Sequence, residues 1–188
     1  MKLKVWVKTK TCLMRLLMNC RSVLNPLLML SLGRYVMFDV VFSRGSELTQ
    51  LNFCGFYIVV LERDGEVVSV VTIRIFGKRV VEIPFVATKK QCRRQGMCDI
   101  LMNEIEKLLT YLGVKEIVLP PSRDVIHTWT NSFGFVRMAP SHKFQYIENV
   151  FLHFDASCAT KHWPESFVYC KMNSGYVMFL GIRSWPFL

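Results

Sequence analysis

Apolar and polar positions alternate most clearly between Phe56 and Phe76. Phe56–Glu62 is rich in Tyr, Ile and Val and reads as a strand. Arg63-Asp64-Gly65 supplies a turn, with a glycine available for positive φ. In Val67–Phe76, Val68, Val70, Thr72 and Arg74 alternate with Ser69, Val71, Ile73 and Ile75, so the two runs predict a hairpin. A turn at Gly77-Lys78-Arg79 leads into a third strand, Val80–Thr88. Pro84 inside that strand has no N–H, which predicts a bulge or an unpaired edge.

The period then changes. Leu101, Ile105, Leu108 and Leu112 recur at i, i+4, i+7 and i+11, one face of a helix, and Gly113 suits its end. Glu116–Leu119 is a short apolar strand stopped by Pro120-Pro121. Ser122 is placed to cap a second helix running to about Ser132. Phe135–Met138 and Tyr146–Phe154 read as the last strands. The order β-β-β-α-β-α-β-β predicts one α/β domain over residues 35–154, a mixed sheet with helices on its faces. Residues 155–188 read as a tail with one further strand at Gly175–Ile182.

Charge divides the chain in the same way. The net charge is +10, but residues 1–34 hold seven basic residues and no acid. That basic segment reads as two helices, Cys12–Val23 and Pro26–Leu32, packed on the domain. A targeting presequence or a non-native start are the alternatives. Its longest apolar run, Leu27–Leu30, is far short of the ~20 residues a membrane span needs. The domain itself is nearly neutral, which argues against a nucleic-acid-binding face. The seven cysteines form no CxxC pair and no His pair has zinc spacing, so no metal site is expected. Reduced thiols of a cytosolic or nuclear protein fit that pattern.

One cationic cluster remains inside the domain: Lys89, Lys90, Arg93 and Arg94. Arg93-Arg94-Gln95-Gly96-Met97-Cys98 joins a strand to a helix start. Unpaired N–H groups, the positive end of a helix dipole and a glycine that lets an anion approach make a pyrophosphate site. A solvated turn is the plainer alternative. Neither GxGxxG nor a Gly-Lys-Ser/Thr loop is present, so dinucleotide and ATP readings lose ground. Cys98 would have a lowered pKa at a helix N-terminus. No histidine lies near it in sequence, which argues against a nucleophile.

Arg93-x-x-Gly96-x-Cys98 resembles the Arg/Gln-x-x-Gly-x-Gly/Ala motif of the GNAT (GCN5-related N-acetyltransferase) superfamily, with Cys98 at the small-residue position. Glu82-Ile83-Pro84-Phe85-Val86-Ala87 resembles the matching strand of nuclear histone acetyltransferases. Leu51-Asn52-Phe53, Gly55-Phe56-Tyr57, Thr128-Trp129-Thr130 and Phe133-Gly134-Phe135 are similar to the acetyltransferase domain of the plant Increased DNA Methylation family. Its members are multidomain chromatin proteins with PHD fingers.

The resemblance implies a mostly antiparallel mixed sheet with helices on both faces and an acyl-CoA cleft between two splayed central strands, Val80–Thr88 and Glu116–Leu119. It implies acetyl-CoA as cosubstrate. Gln95, Gly96, Met97 and Cys98 would bind pyrophosphate through their N–H groups, with Arg93 and Arg94 as charge partners. Val86, with Ala87 beside it, would polarise the thioester, and Trp129 would pack near the cofactor. Glu82 stands where those histone acetyltransferases carry their base; a structural pair with Arg74 or Arg79 is the alternative. The second helix has no Tyr to serve as general acid. The implied acceptor is a protein lysine, most simply on a histone tail, and the implied compartment is the nucleus, with an organelle as the alternative. A small-amine acetyltransferase and a non-catalytic acyl-CoA-binding scaffold are the competing functions.

Overall fold

The computed structural model describes residues 39–40, 42–45, 52–121, 125–143, 146, 151 and 168–172. The helices expected in residues 1–34 and the strand expected at Gly175–Ile182 lie outside them. The described elements are β1 (Phe56–Arg63), β2 (Glu66–Phe76), β3 (Val80–Thr88), α1 (Met97–Tyr111), β4 (Glu116–Leu119), α2 (Ile126–Ser132), β5 (Val136–Arg137), α3 (Pro140–Lys143) and β6 (Val168–Lys171). They form a six-stranded sheet in the order β1-β2-β3-β4-β6-β5. Every neighbouring pair is antiparallel except β3 and β4, which α1 connects as a crossover.

The hairpin β1–β2 and the third strand appear as the alternation predicts. Of the strand expected at Tyr146–Phe154, only Tyr146, in a tight turn, and Phe151, in no strand, are described; the rest lies outside the described residues. The strand that closes the sheet is β6, inside the stretch read as a tail, so the domain extends past residue 154. Four residues show too little of a two-residue period to stand out from their surroundings. The second helix has Val125 at its N-cap; Ser122, the expected cap, lies outside the described residues.

One face of the sheet packs against α1 and α2. Leu101, Ile105 and Leu109 of α1 are almost wholly buried there with Val71, Ile83 and Ile117. Leu108 and Leu112, expected on the seam, are exposed. The buried arc is broader than the four expected positions, and Met102 and Leu109, seven residues apart, draw its centre towards themselves. The opposite face carries Val80, Val118, Tyr146 and Phe151, with α3 beside them. Among the described residues, helices therefore lie on both faces, as expected, with the short α3 on the second.

Helix α1 ends at Gly113, whose φ of 74° is left-handed. Its N–H donates to the Thr110 carbonyl at 2.9 Å. A Cβ there strains the backbone by about 1–2 kcal/mol. Gly113→Ala is expected to lower stability by about that amount, read as a lower urea midpoint at constant slope.

Candidate functional site

The site begins with a register fault. Thr72 pairs with Phe85 and Arg74 with Glu82, so Ile83 and Pro84 together oppose Ile73. This is the bulge that Pro84 foretold. On the other side of β3, the parallel ladder to β4 runs only through Val80/Glu116, Val81/Ile117 and Glu82/Val118. β4 then ends at Leu119 and meets two prolines, which offer no N–H to continue it. The strands part just beyond Glu82.

Alternation fixes which N–H groups face the resulting notch. Lys89 N–H donates to the Val68 carbonyl at 2.9 Å, so Phe85, Ala87 and Lys89 present their backbone groups to β2. Ser69 Oγ accordingly donates to the Ala87 carbonyl at 3.1 Å. Val86 and Thr88 face the other way, towards the notch. Of the two residues expected near the thioester, Val86 has its N–H directed there; Ala87 does not.

After β3 the chain makes one tight turn, Lys90–Cys92, and enters Arg93–Gly96. Arg94 and Gly96 both take left-handed φ, 58° and 71°. Gly96 is the N-cap of α1 and no side chain caps that terminus. The first-turn N–H groups therefore point out of a fifteen-residue helix beside two exposed arginines. The loop is braced from within the protein. Arg93 Nε donates to the Thr88 carbonyl at 3.2 Å, and Gln95 Nε2 to the Gln91 carbonyl at 2.7 Å. Arg63, at the end of β1, donates to Gln95 Oε1 at 3.3 Å and contacts Cys92 Sγ at 3.8 Å. Sequence reasoning missed Arg63, which stands 32 residues from Gln95 and belongs to no motif. Lys89 is held by Glu66 at 2.9 Å, and that pairing lowers the Glu66 carboxyl pKa.

Two side chains of the expected set turn inward. Met97 is buried in the core, so only its backbone belongs to the loop. The Cys98 thiol is pushed up to about 12, by burial first and then by the Asp99 carboxylate. Desolvation outweighs the helix terminus and reverses the expected lowering. At pH 7.5, Cys98 is expected to alkylate with iodoacetamide at least about tenfold more slowly than exposed Cys54, as peptide mapping would show.

Glu82 is completely buried and bound to Arg74. Nε and Nη2 of the guanidinium donate to the same carboxylate oxygen, Oε2, at 3.0 and 2.8 Å. The structural pairing weighed at the outset is thus formed by Arg74. Arg79 instead lies over the Tyr146 ring, 5.2 Å from its centroid. Trp129 lies in α2, the second helix, as expected. It is buried in the core, with its ring 4.8 Å from Phe133 and 5.6 Å from Phe135. The apolar environment makes it a packing residue. His127 is an exposed residue of α2.

A second polar cluster, unforeseen from sequence, lies on the α3 face. Tyr146 Oη donates to Glu116 Oε2, which His142 Nε2 also approaches at 3.0 Å. His142 stacks on Tyr169 at 4.1 Å between centroids. Burial and the Glu116 contact push the Tyr146 hydroxyl upward. The cluster sits at the paired end of β3 and β4, away from the notch. Among the described residues no group of three His, Cys, Asp or Glu could hold a metal ion. No described helix is long and apolar enough to cross a membrane.

Comparison with known proteins gives this geometry a family. A model of the Increased DNA methylation 1, C-terminal domain family matches residues 24–163. Increased DNA methylation 1 of Arabidopsis thaliana is 43% identical over 99 residues, 53% of this chain and 8% of that protein. The chain thus spans a small fraction of that relative's length. Tetrahymena GCN5 superposes with a TM-score of 0.63 at 13% identity, covering 93% of this chain and 98% of that one. A GNAT-family acetyltransferase from Staphylococcus aureus gives 0.59 at 10%, covering 92% and 100%. The PaiA N-acetyltransferase from Thermoplasma acidophilum, solved with coenzyme A, gives 0.54 at 14%, covering 73% and 92%. Identities this low establish the fold alone. The chain has the GNAT fold and belongs to the Increased DNA methylation 1 C-terminal domain family.

Proposed function

We propose that this chain is an acetyl-CoA-dependent N-acetyltransferase acting on a protein lysine in chromatin. The observation that carries the reading is the notch where β3 and β4 part. It lies next to an inward-facing Val86 N–H and to buried Glu82, and the loop leading out of β3 ends at the uncapped N-terminus of α1. The residues present fit such a ligand. Backbone N–H groups of Gln95, Gly96, Met97 and Cys98 would take the pyrophosphate, with Arg93 and Arg94 supplying charge. Bound acetyl-CoA supplies an activated acyl carbon.

The chain's own residues then have two tasks. Val86 N–H is placed to donate to a carbonyl oxygen as negative charge grows on it. Glu82 is the candidate proton acceptor. A lysine ammonium, with a pKa of about 10.4, has no lone pair until it loses a proton. With no exposed surface, Glu82 takes that proton through a bridging water. A histone tail is the favoured acceptor and the nucleus the favoured compartment, both by kinship to the Arabidopsis protein. Calorimetry with acetyl-CoA, followed by mass spectrometry of histone peptides after incubation, tests the reading. Binding without transfer to any lysine would reject it. A non-catalytic acyl-CoA-binding scaffold is the second reading, favoured by the complete burial and ion pairing of Glu82.

A further inference from the structure

Arg74 is built into its position from four sides. Two of its nitrogens converge on Glu82 Oε2, and Nη1 reaches the Asn52 carbonyl at 3.4 Å. The guanidinium lies over the rings of Phe56 and Phe76, 4.4 and 4.9 Å from their centroids. Its side chain keeps 11% exposure against 0% for Glu82. Arg74 therefore keeps a slight exposure that the carboxylate it binds does not. Replacing such a buried pair by apolar residues is often neutral or stabilising, so stability alone does not explain it.

Position does. Glu82 is the last residue of β3 paired with β4, and Arg74 is its register partner across β2. A guanidinium clamped between two rings fixes the carboxylate at the point where the strands diverge. We propose that Arg74 is a positioning residue for Glu82, holding it as a preformed proton acceptor at the mouth of the notch; this rests on the acetyltransferase reading. In the step concerned, an N–H bond of the substrate ammonium breaks and an O–H bond to Glu82 forms through the bridging water. The freed nitrogen lone pair attacks the acyl carbon, the C–S bond breaks and the thiolate leaves with its electron pair; the second proton of the now cationic nitrogen passes through water to that thiolate, leaving a neutral amide and a thiol. The proton on Glu82 passes to solvent when the site resets.

Other titratable groups described on this face include Glu116, His142, Tyr146, Tyr169 and Arg79, which cluster at the paired end of the strands; Asp39 and Arg44 pair near Phe56. Arg74 is joined directly to Glu82.

The test measures kcat/KM for a lysine peptide against pH, and acetyl-CoA affinity by calorimetry, for wild type, Arg74→Gln and Arg74→Lys. Losing the cation favours the protonated carboxyl, so the acid limb of the Arg74→Gln profile should move to higher pH, with about tenfold lower kcat/KM on that limb. Arg74→Lys keeps the charge and loses the fork, so its limb should move less while kcat still falls. Acetyl-CoA affinity should stay within about twofold in both. If Arg74→Gln does not fold, Arg74→Lys decides. Unchanged turnover, or a fall with the wild-type profile shape, overturns the inference. A wild type that binds acetyl-CoA and acetylates nothing removes the catalytic reading and this inference with it. An active wild type whose Arg74 variants keep its profile removes this inference alone.

Discussion

Arg93→Ala/Gly96→Asp is expected to weaken acetyl-CoA binding by about a thousandfold, or about 4 kcal/mol, without unfolding the protein. Three effects add. Removing the Arg93 guanidinium costs about 1.5–3 kcal/mol if it forms a charge-assisted bond to the pyrophosphate. The carboxylate introduced at position 96 brings a negative charge to the place an anion must occupy. It also stands at an N-cap, where aspartate is favoured, so it can take the first-turn N–H groups for itself. Aspartate tolerates left-handed backbone better than most residues, which limits strain at φ 71°. The Asp99 carboxylate, 3.8 Å from the position of an added Cβ, adds like-charge repulsion. A melting temperature close to wild type with lost calorimetric binding is therefore the expected pair of results. Undiminished binding would remove the foundation of the functional reading.

Glu82→Gln is expected to lower turnover by about 10²–10⁴ while acetyl-CoA affinity stays within about twofold. The amide oxygen keeps an acceptor for Arg74 Nε and Nη2, so the fold has a substitute partner. Glu82→Leu has none, and removing the carboxylate from a buried ion pair costs about 3–5 kcal/mol. Comparing the two by thermal melting and by single-turnover kinetics separates proton transfer from packing. Equal turnover in wild type and Glu82→Gln would remove Glu82 as the proton acceptor.

Much of this architecture was legible because it rests on local rules. Pro84 announced its bulge, since a missing N–H cannot be hidden in a ladder. Gly96 marked the loop, and the change of period marked α1. What escaped depends on contacts distant in sequence. Arg63 braces Gln95 across a separation of 32 residues, and no short pattern encodes that. Leu109 displaced Leu108 from the seam because the sheet, not the helix, chooses the buried arc. For Cys98, helix position argued for an activated thiol while burial decided the reverse. The partner of Glu82 was foreseeable as one of two arginines, and strand register selected Arg74.

Strand β6 has a consequence for how this protein is made. It lies between β4 and β5, although both precede it in the chain. On the ribosome, the hairpin β1–β2, β3, α1 and β4 can assemble as they emerge, but β4 then presents an open edge and β5 has no neighbour in the sheet. The sheet is completed only when residues 168–171 leave the exit tunnel. Until then the nascent domain carries a row of unpaired backbone groups able to join a strand of another chain. Folding is thus a race between the arrival of one late strand and capture by a neighbour, and slower synthesis after β5 prolongs the exposure.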